Sequence, residues 1–248
     1  MQNALLVGLS RQMALGRELD VVANNMANVT TNGFKARSSR FESYMMPKAS
    51  ADAFPRPDRR LDYVIDSGTT LNNAAGAVEA TRNPLDVAIK GDGFFVVQTP
   101  GGERYTRNGA FQIDATGRLV NSDGHAVVGD GGPITFDPSE TDLAISPDGT
   151  AASRQQQHGK VRLVRFPSAQ VLRNEGANTF SSTVPPQPAG ATSRLEPGAV
   201  ERSNVSPVLE MSRLIEINRS YASIASMVGR MDELKRTALS RLADVQGS

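Results

Sequence analysis

The sequence predicts a mixed α and β fold. Long N- and C-terminal helices pair as a coiled-coil-like α domain, and an all-β middle domain, a sandwich or irregular barrel, is inserted between them. Three observations carry this expectation. Apolar residues recur at helical spacings of three and four at both ends of the chain. Between them, short runs of Val, Ile, Phe and Leu are broken by Gly and Asp, with a turn signal about every ten residues. Proline-rich stretches, "MPKASADAFPRPDRR" and "VPPQPAG", stand on either side of the middle. The expected boundaries are 1–45 and 200–248 for the discontinuous helical assembly domain, 46–75 for an extended connector and 76–199 for the β-rich domain.

At the N-terminus, Leu5, Leu15, Leu19, Val22, Met26 and Val29 fall on one stripe. Gly8 and Gln12 interrupt it, and Leu6, Leu9 and Met13 widen it. The pattern predicts a helix of roughly 25 residues, about 36 Å long. Gly8 and Gly16 each cost about 1 kcal/mol relative to Ala, so the helix depends on packing to persist. It leaves through "ANNMANVTTNGFK" (23–35). Thr30, Thr31, Asn32 and Gly33 end the helix, because Asn-Gly suits positive φ. Phe34 anchors the emerging chain on the next element. Asn24, Asn25 and Asn28 flank the stripe. There they fit either an ordinary helix terminus or an interface whose register is fixed by paired amides, since an unpaired buried amide is costly.

The C-terminal pattern is longer. Leu214, Ile217, Tyr221, Ile224, Val228, Met231, Ala238, Leu242 and Val245 keep a 3-4 repeat, broken only at Lys235. Ser206-Pro207, with Glu210 shortly after, reads as a helix start with Pro at the first helical position. A seam this long, with Arg213, Glu216, Arg219, Arg230, Glu233, Arg236 and Arg241 opposite, has coiled-coil character. Two packings are open: a bundle within one chain, or association between chains.

In the middle, Leu85, Val87 and Ile89 alternate as in a half-buried strand. "FFVV" (94–97) and "RYT" (104–106) flank "QTPGG" as a hairpin. "IDATGRLV" predicts a second hairpin, "ISPDGTA" a third turn and "VRLVRF" (161–166) a further strand.

Composition limits what the chain does. Its 248 residues suffice for a buried core, but hydrophobic content is 39%, aromatic content 5%, and Trp is absent. Part of its burial is therefore expected in a partner. Net charge is +1 and basic residues are spread, which argues against nucleic acid or a membrane surface. With no cysteine, disulfides, thiol catalysis and cysteine-ligated zinc are excluded. No apolar run is long enough for membrane insertion. The N-terminus lacks a basic start and an unbroken apolar block, so a cleavable signal peptide is not expected.

No catalytic constellation is expected either. The two histidines, His125 and His158, lie beside glycines and read as solvated loop residues. The Asp-Gly pairs lack the ligand spacing of a calcium loop and read as turns. No phosphate loop or nucleophile elbow occurs. A hydrolase reading would lean on Asp86 and Asp92, which nothing in the sequence brings together. The expectation is no cofactor, no metal and no enzyme. The competing class is a soluble ligand-binding β module whose helices form a homodimer.

Three collinear stretches resemble the flagellar axial proteins, the rod and hook family. "LDVVANNMANVTTNGFKA" resembles their N-terminal motif and "NVSPVLEMSRLIEINRSYASIASMV" their C-terminal one. "PLDVAIKGDGFFVVQTPGGERYTRNGAFQIDATGRLVNSDGHAVVG" resembles their shared β-domain. The opening looks most like the proximal rod type, with the distal rod or hook type as the alternative. Asn32 stands where the family more often has Thr. The resemblance implies a structural subunit of the basal-body rod that transmits torque from motor to hook. Its partners would be copies of itself, other rod proteins and the flagellar export apparatus, and its place the rod that spans the periplasm. It further implies that the terminal helices form the assembly interface, at Leu5, Leu9, Leu15, Leu19, Val22, Asn24, Asn25, Met26, Asn28, Val29, Gly33 and Phe34. On the C-terminal helix it implies Leu214, Ile217, Tyr221, Ile224, Val228, Met231 and Leu242.

Overall fold

The computed structural model describes residues 2–45, 62–190 and 193–246. The chain forms two compact units. One comprises Met1–Met26, Arg37–Thr70 and Pro207–Ser248, the other Ala27–Ala36 and Leu71–Ser206.

The first unit holds two helices, α1 (Gln2–Ala27) and α2 (Pro207–Gln246), and a two-stranded sheet of Arg37–Met45 with Asp62–Leu71. Pro207 is the first residue of α2 and Glu210 lies in its first turn, as the start signal predicts. Gly8 faces Val228, Glu18 pairs with Arg213 at 3.7 Å, and Asn25 meets Glu210 at 3.3 Å. Residue numbers thus rise along α1 as they fall along α2, so the helices are antiparallel. Gly8 is what permits the approach, because a Cβ there would lie 2.9 Å from Val228 Cγ2.

The strand Asp62–Leu71 corrects the expected connector of 46–75, of which residues 46–61 lie outside the described residues. "DYVIDSGTTL" is rich in β-branched residues and pairs with the strand that follows the exit from α1. Thr70 Oγ1 donates to the Ser38 carbonyl at 3.4 Å across that pair.

The second unit is β-rich. Its largest sheet has ten strands among the described residues, all pairings antiparallel. Phe94–Thr99 lies at its centre, between Gly102–Thr106 and Ala126–Gly129. The predicted hairpin is therefore present, with Phe95 opposite Thr106 and Thr99 opposite Gly102. Gln112–Ile113 and Leu119–Val120 form the second hairpin, and Ser146–Gly149 turns the chain between Ala144–Ile145 and Thr150–Ala152. Of "VRLVRF", Leu163–Arg165 is the strand.

Phe94–Thr99 explains why "FFVV" is a continuous apolar run. Phe95 and Val97 enter one core with Val87, Ile89, Phe111, Leu119 and Val127. Phe94 and Val96 enter another with Tyr105, Val164 and Phe180. A strand buried on both faces loses the polar alternate that alternation requires. The same holds at Val87, Ala88 and Ile89, all buried, where the sequence predicts a half-buried strand.

Candidate functional site

Along α2 the predicted seam from Leu214 to Met231 is the inward face. Ile217 is 5% exposed, and Leu214, Tyr221, Ile224, Val228 and Met231 are half-buried. On α1, Val22 is buried and Leu15, Leu19 and Met26 are half-buried, while Leu9 and Asn24 are exposed. The side chains of Leu5 and Leu242 lie outside the described residues. Both helices also carry a second set of apolar side chains that the unit leaves in solvent. On α1 these are Leu6, Leu9 and Met13, and on α2 Val208, Leu209, Met211, Ile215, Met227 and Leu234.

Asn25 is fully buried and binds within its own chain. Its Nδ2 donates to the Arg37 carbonyl at 2.8 Å and its Oδ1 accepts from the Arg37 N–H at 2.9 Å. The amide thus stands in for a strand neighbour at the first residue of Arg37–Met45, and Nδ2 also reaches Glu210 Oε2 at 3.3 Å. Both of its polar atoms are satisfied, so its burial carries little penalty.

In the second unit, the stretch that leaves α1 is stitched into the β-rich body. The helix ends at Ala27, and Asn28 holds the turn through its carbonyl and side chain, both bonded by Thr31. Val29 is half-buried and Phe34 is buried. Gly33 has φ +67° and its N–H donates to the Glu201 carbonyl at 2.6 Å. Its Cα face lies so close to the backbone of Arg107 and Asn108 that a Cβ would come within 2.4 Å of both. Asn32 accepts from Asn178 on its carbonyl and from Arg202 on its side chain.

Immediately beyond lies a buried charge cluster. Glu201 Oε1 accepts from Lys35 Nζ at 2.6 Å and from the Gly76 N–H at 2.8 Å, and Oε2 accepts from Arg107 Nε at 2.9 Å. All three side chains are at most 4% exposed. Two cations share one carboxylate, so backbone carbonyls take up the remaining donors. Lys35 also donates to Ala74 O, and Arg107 to Gly91 O and Gly93 O. Burial holds the Lys35 ammonium below its ordinary pKa, against the pull of Glu201. Sequence reasoning misses Lys35, Arg107 and Glu201. Separations of 166 and 94 residues leave no local spacing to find, and the one visible signal is a Lys directly after the Phe of "NGFK".

His158 corrects the solvated reading. Its side chain is 8% exposed, lies 2.6 Å from Glu140 and rests against the Phe136 ring at 4.6 Å. His125 is half-buried in the Asn121 turn. Asp86 is committed to its own turn through Asn83, and Asp92 is exposed. Among the described residues no group of three or more His, Asp or Glu is placed to hold a metal ion, and no helix is long and apolar enough to cross a membrane.

Three family models match the chain. The model described as flagella basal body rod protein covers residues 5–35, the flagellar hook protein FlgE/F/G D1 domain 88–152, and the flagellar basal body rod FlgEFG protein C-terminal 196–241. Lys35, Arg107 and Glu201 fall one in each. The chain is 40% identical to the flagellar basal-body rod protein FlgF of Caulobacter vibrioides, across 99% of this chain and 100% of that protein. It is 35% identical to FlgF of Mesorhizobium japonicum, with 92% of each covered. It is 30% identical to the rod protein FlgG of Bacillus subtilis, with 94% and 97% covered.

Proposed function

The chain belongs to the flagellar basal-body rod protein family, and from that premise we propose that it polymerises through its terminal helices into the axial drive-shaft. Its role is structural. The carrying observation is that both helices are apolar on two sides. One side of each is covered within the first unit, and Leu6, Leu9, Met13, Val208, Met211 and Ile215 are not. Apolar side chains left exposed together along a helix mark a face that a partner covers.

In this reading the Leu214–Met231 stripe is a coiled-coil-like seam against α1, and the two cores either side of Phe94–Thr99 make the β-rich unit an irregular sandwich. The 40% identity to FlgF of Caulobacter vibrioides, against 30% to FlgG of Bacillus subtilis, supports the proximal rod type. The chain travels through the flagellar export apparatus and takes its place in the periplasm-spanning rod. The predicted interface residues then divide by job. Leu9 and Asn24, exposed on α1, face neighbours, while Asn25, Gly33 and Phe34 hold the chain that presents them.

Quantitative mass spectrometry of isolated basal bodies tests this. The expected result is a few copies per structure, in fixed ratio to the other rod proteins. Absence of the chain from basal bodies that contain those proteins refutes it.

A further inference from the structure

An open groove of about 480 Å³ lies between α1 and α2, and its chemistry is mixed. Ile224 and Met227 are its apolar part, Ser220 and Ser223 supply hydroxyls, and Arg11 and Arg219 supply guanidinium groups. Both arginines are exposed, and neither has an ion-pair partner among the described residues. Such a site fits a surface that offers apolar side chains followed by a carboxylate.

The chain carries that surface itself. On α1, Leu6, Leu9, Met13, Gly16 and Asp20 recur at spacings of three and four, and so lie on one side of the helix. Leu6, Leu9 and Met13 are exposed, and so is Asp20, which has no ion-pair partner among the described residues. Gly16 adds an independent sign. A Cβ there would meet nothing within 4 Å. The chain's own packing therefore does not require a helix-weakening glycine at this position, whereas the close approach of a second helix would.

The spans agree. Met13 and Asp20 are about 10.5 Å apart along a helix axis, and Met227 and Arg219 about 12 Å. With Asp20 against Arg219 and Met13 toward Met227, the incoming helix runs antiparallel to α2, the direction the chain's own α1 already takes. The groove would thus receive a neighbour's α1 much as α2 receives its own.

We propose, on the premise of the rod reading, that the Arg11/Arg219 groove receives the Leu9–Asp20 stripe of α1 from a second copy of this chain. The contact is heterologous: groove and stripe are different surfaces, so a molecule that has used one still offers the other. Such a contact propagates along a helical array instead of closing a dimer.

Charge exchange tests it in cells, read as copies per isolated basal body. Asp20→Arg and Arg219→Asp should each lower incorporation on the order of tenfold. The doubly substituted chain, D20R with R219D, should recover to within about twofold of the parent, because opposite charges again meet between copies. Gly16→Leu fills open space in the free chain. It should leave the monomer's circular dichroism unchanged and block incorporation. Normal incorporation of the single variants, or of Gly16→Leu, overturns the proposal. Failure of the double variant to recover also overturns it, and assigns the groove to a different subunit. Absence of the parent chain from basal bodies overturns the rod reading as well, which separates the two failures.

Discussion

Lys35 Nζ lies 2.6 Å from Glu201 Oε1, across 166 residues of sequence, and both side chains are closed off from solvent. Glu201 also binds Arg107, so a single carboxylate joins the exit from α1, the strand that precedes α2 and the end of Gly102–Thr106. Two buried cations depend on that one anion. Removing the anion is therefore costlier than removing either cation. Glu201→Ala is expected to destabilise the β-rich unit by about 3–5 kcal/mol, the loss typical when a buried pair is broken from one side. Lys35→Met keeps the Glu201–Arg107 pair and the stem volume, and should cost less than half as much. Urea unfolding of the two variants, followed by near-ultraviolet circular dichroism, checks the order.

Asn25 gives a second expectation. Asn25→Ala leaves the Arg37 N–H and carbonyl without their side-chain partner and should cost about 1–3 kcal/mol. Asn25→Asp keeps an acceptor for the N–H but loses the donor to Arg37 O and sets a carboxylate beside Glu210. It should be at least as damaging near neutral pH and milder in acid. Hydrogen exchange at the Arg37 amide reads the local loss directly.

Stability should fall in acid, for a reason visible in the turns. Asp114 accepts from the Thr116 hydroxyl and from the Thr116 and Arg118 N–H groups. Asp137 and Asp148 are held similarly by Ser139 and Thr150. These bonds, led in each case by the hydroxyl, hold all three carboxyls below the usual Asp range. A depressed folded pKa stabilises fully above the unfolded value of about 3.9 and is lost as pH falls through the folded one. The urea midpoint should therefore be level from pH 7 to about 5 and drop below about 4. Asp114→Asn should flatten the drop.

Much of the fold is legible because its signals are local. The turn in "QTPGG", the start at Pro207 and positive φ at Gly33 each follow from residues within a few positions. The inward seam of α2 is legible from spacing alone. What escapes is what burial on two faces or distant pairing decides. Val87–Ile89 loses its alternation because both faces are covered. Asp62–Leu71 carries β-branched residues, but its partner strand lies beyond a proline-rich segment that reads as a connector. Lys35, Arg107 and Glu201 look like surface charges until the fold encloses them. Asn25 reads as one of three equivalent asparagines, and only the position of Arg37 sets it apart.

Two glycines of the same chain should respond oppositely to alanine, and the contrast tests whether the exit turn is an intrachain lock. Gly16 sits in α1 with nothing within 4 Å of an added Cβ, so Gly16→Ala should raise monomer stability by up to about 1 kcal/mol through helix propensity. Gly33 has a left-handed φ, and its added Cβ would meet backbone atoms of Arg107 and Asn108 at 2.4 Å. Backbone cannot swing aside as the end of a flexible side chain can. Conformational strain alone costs about 1–3 kcal/mol, and the clash would force Gly33 away from Glu201, breaking its N–H bond to that carbonyl. Gly33→Ala should thus lower the thermal midpoint of the β-rich unit by several degrees or prevent its folding. A neutral Gly33→Ala would mean that residues 28–36 are not anchored in that unit, and the Lys35–Glu201 contact would lose its structural basis.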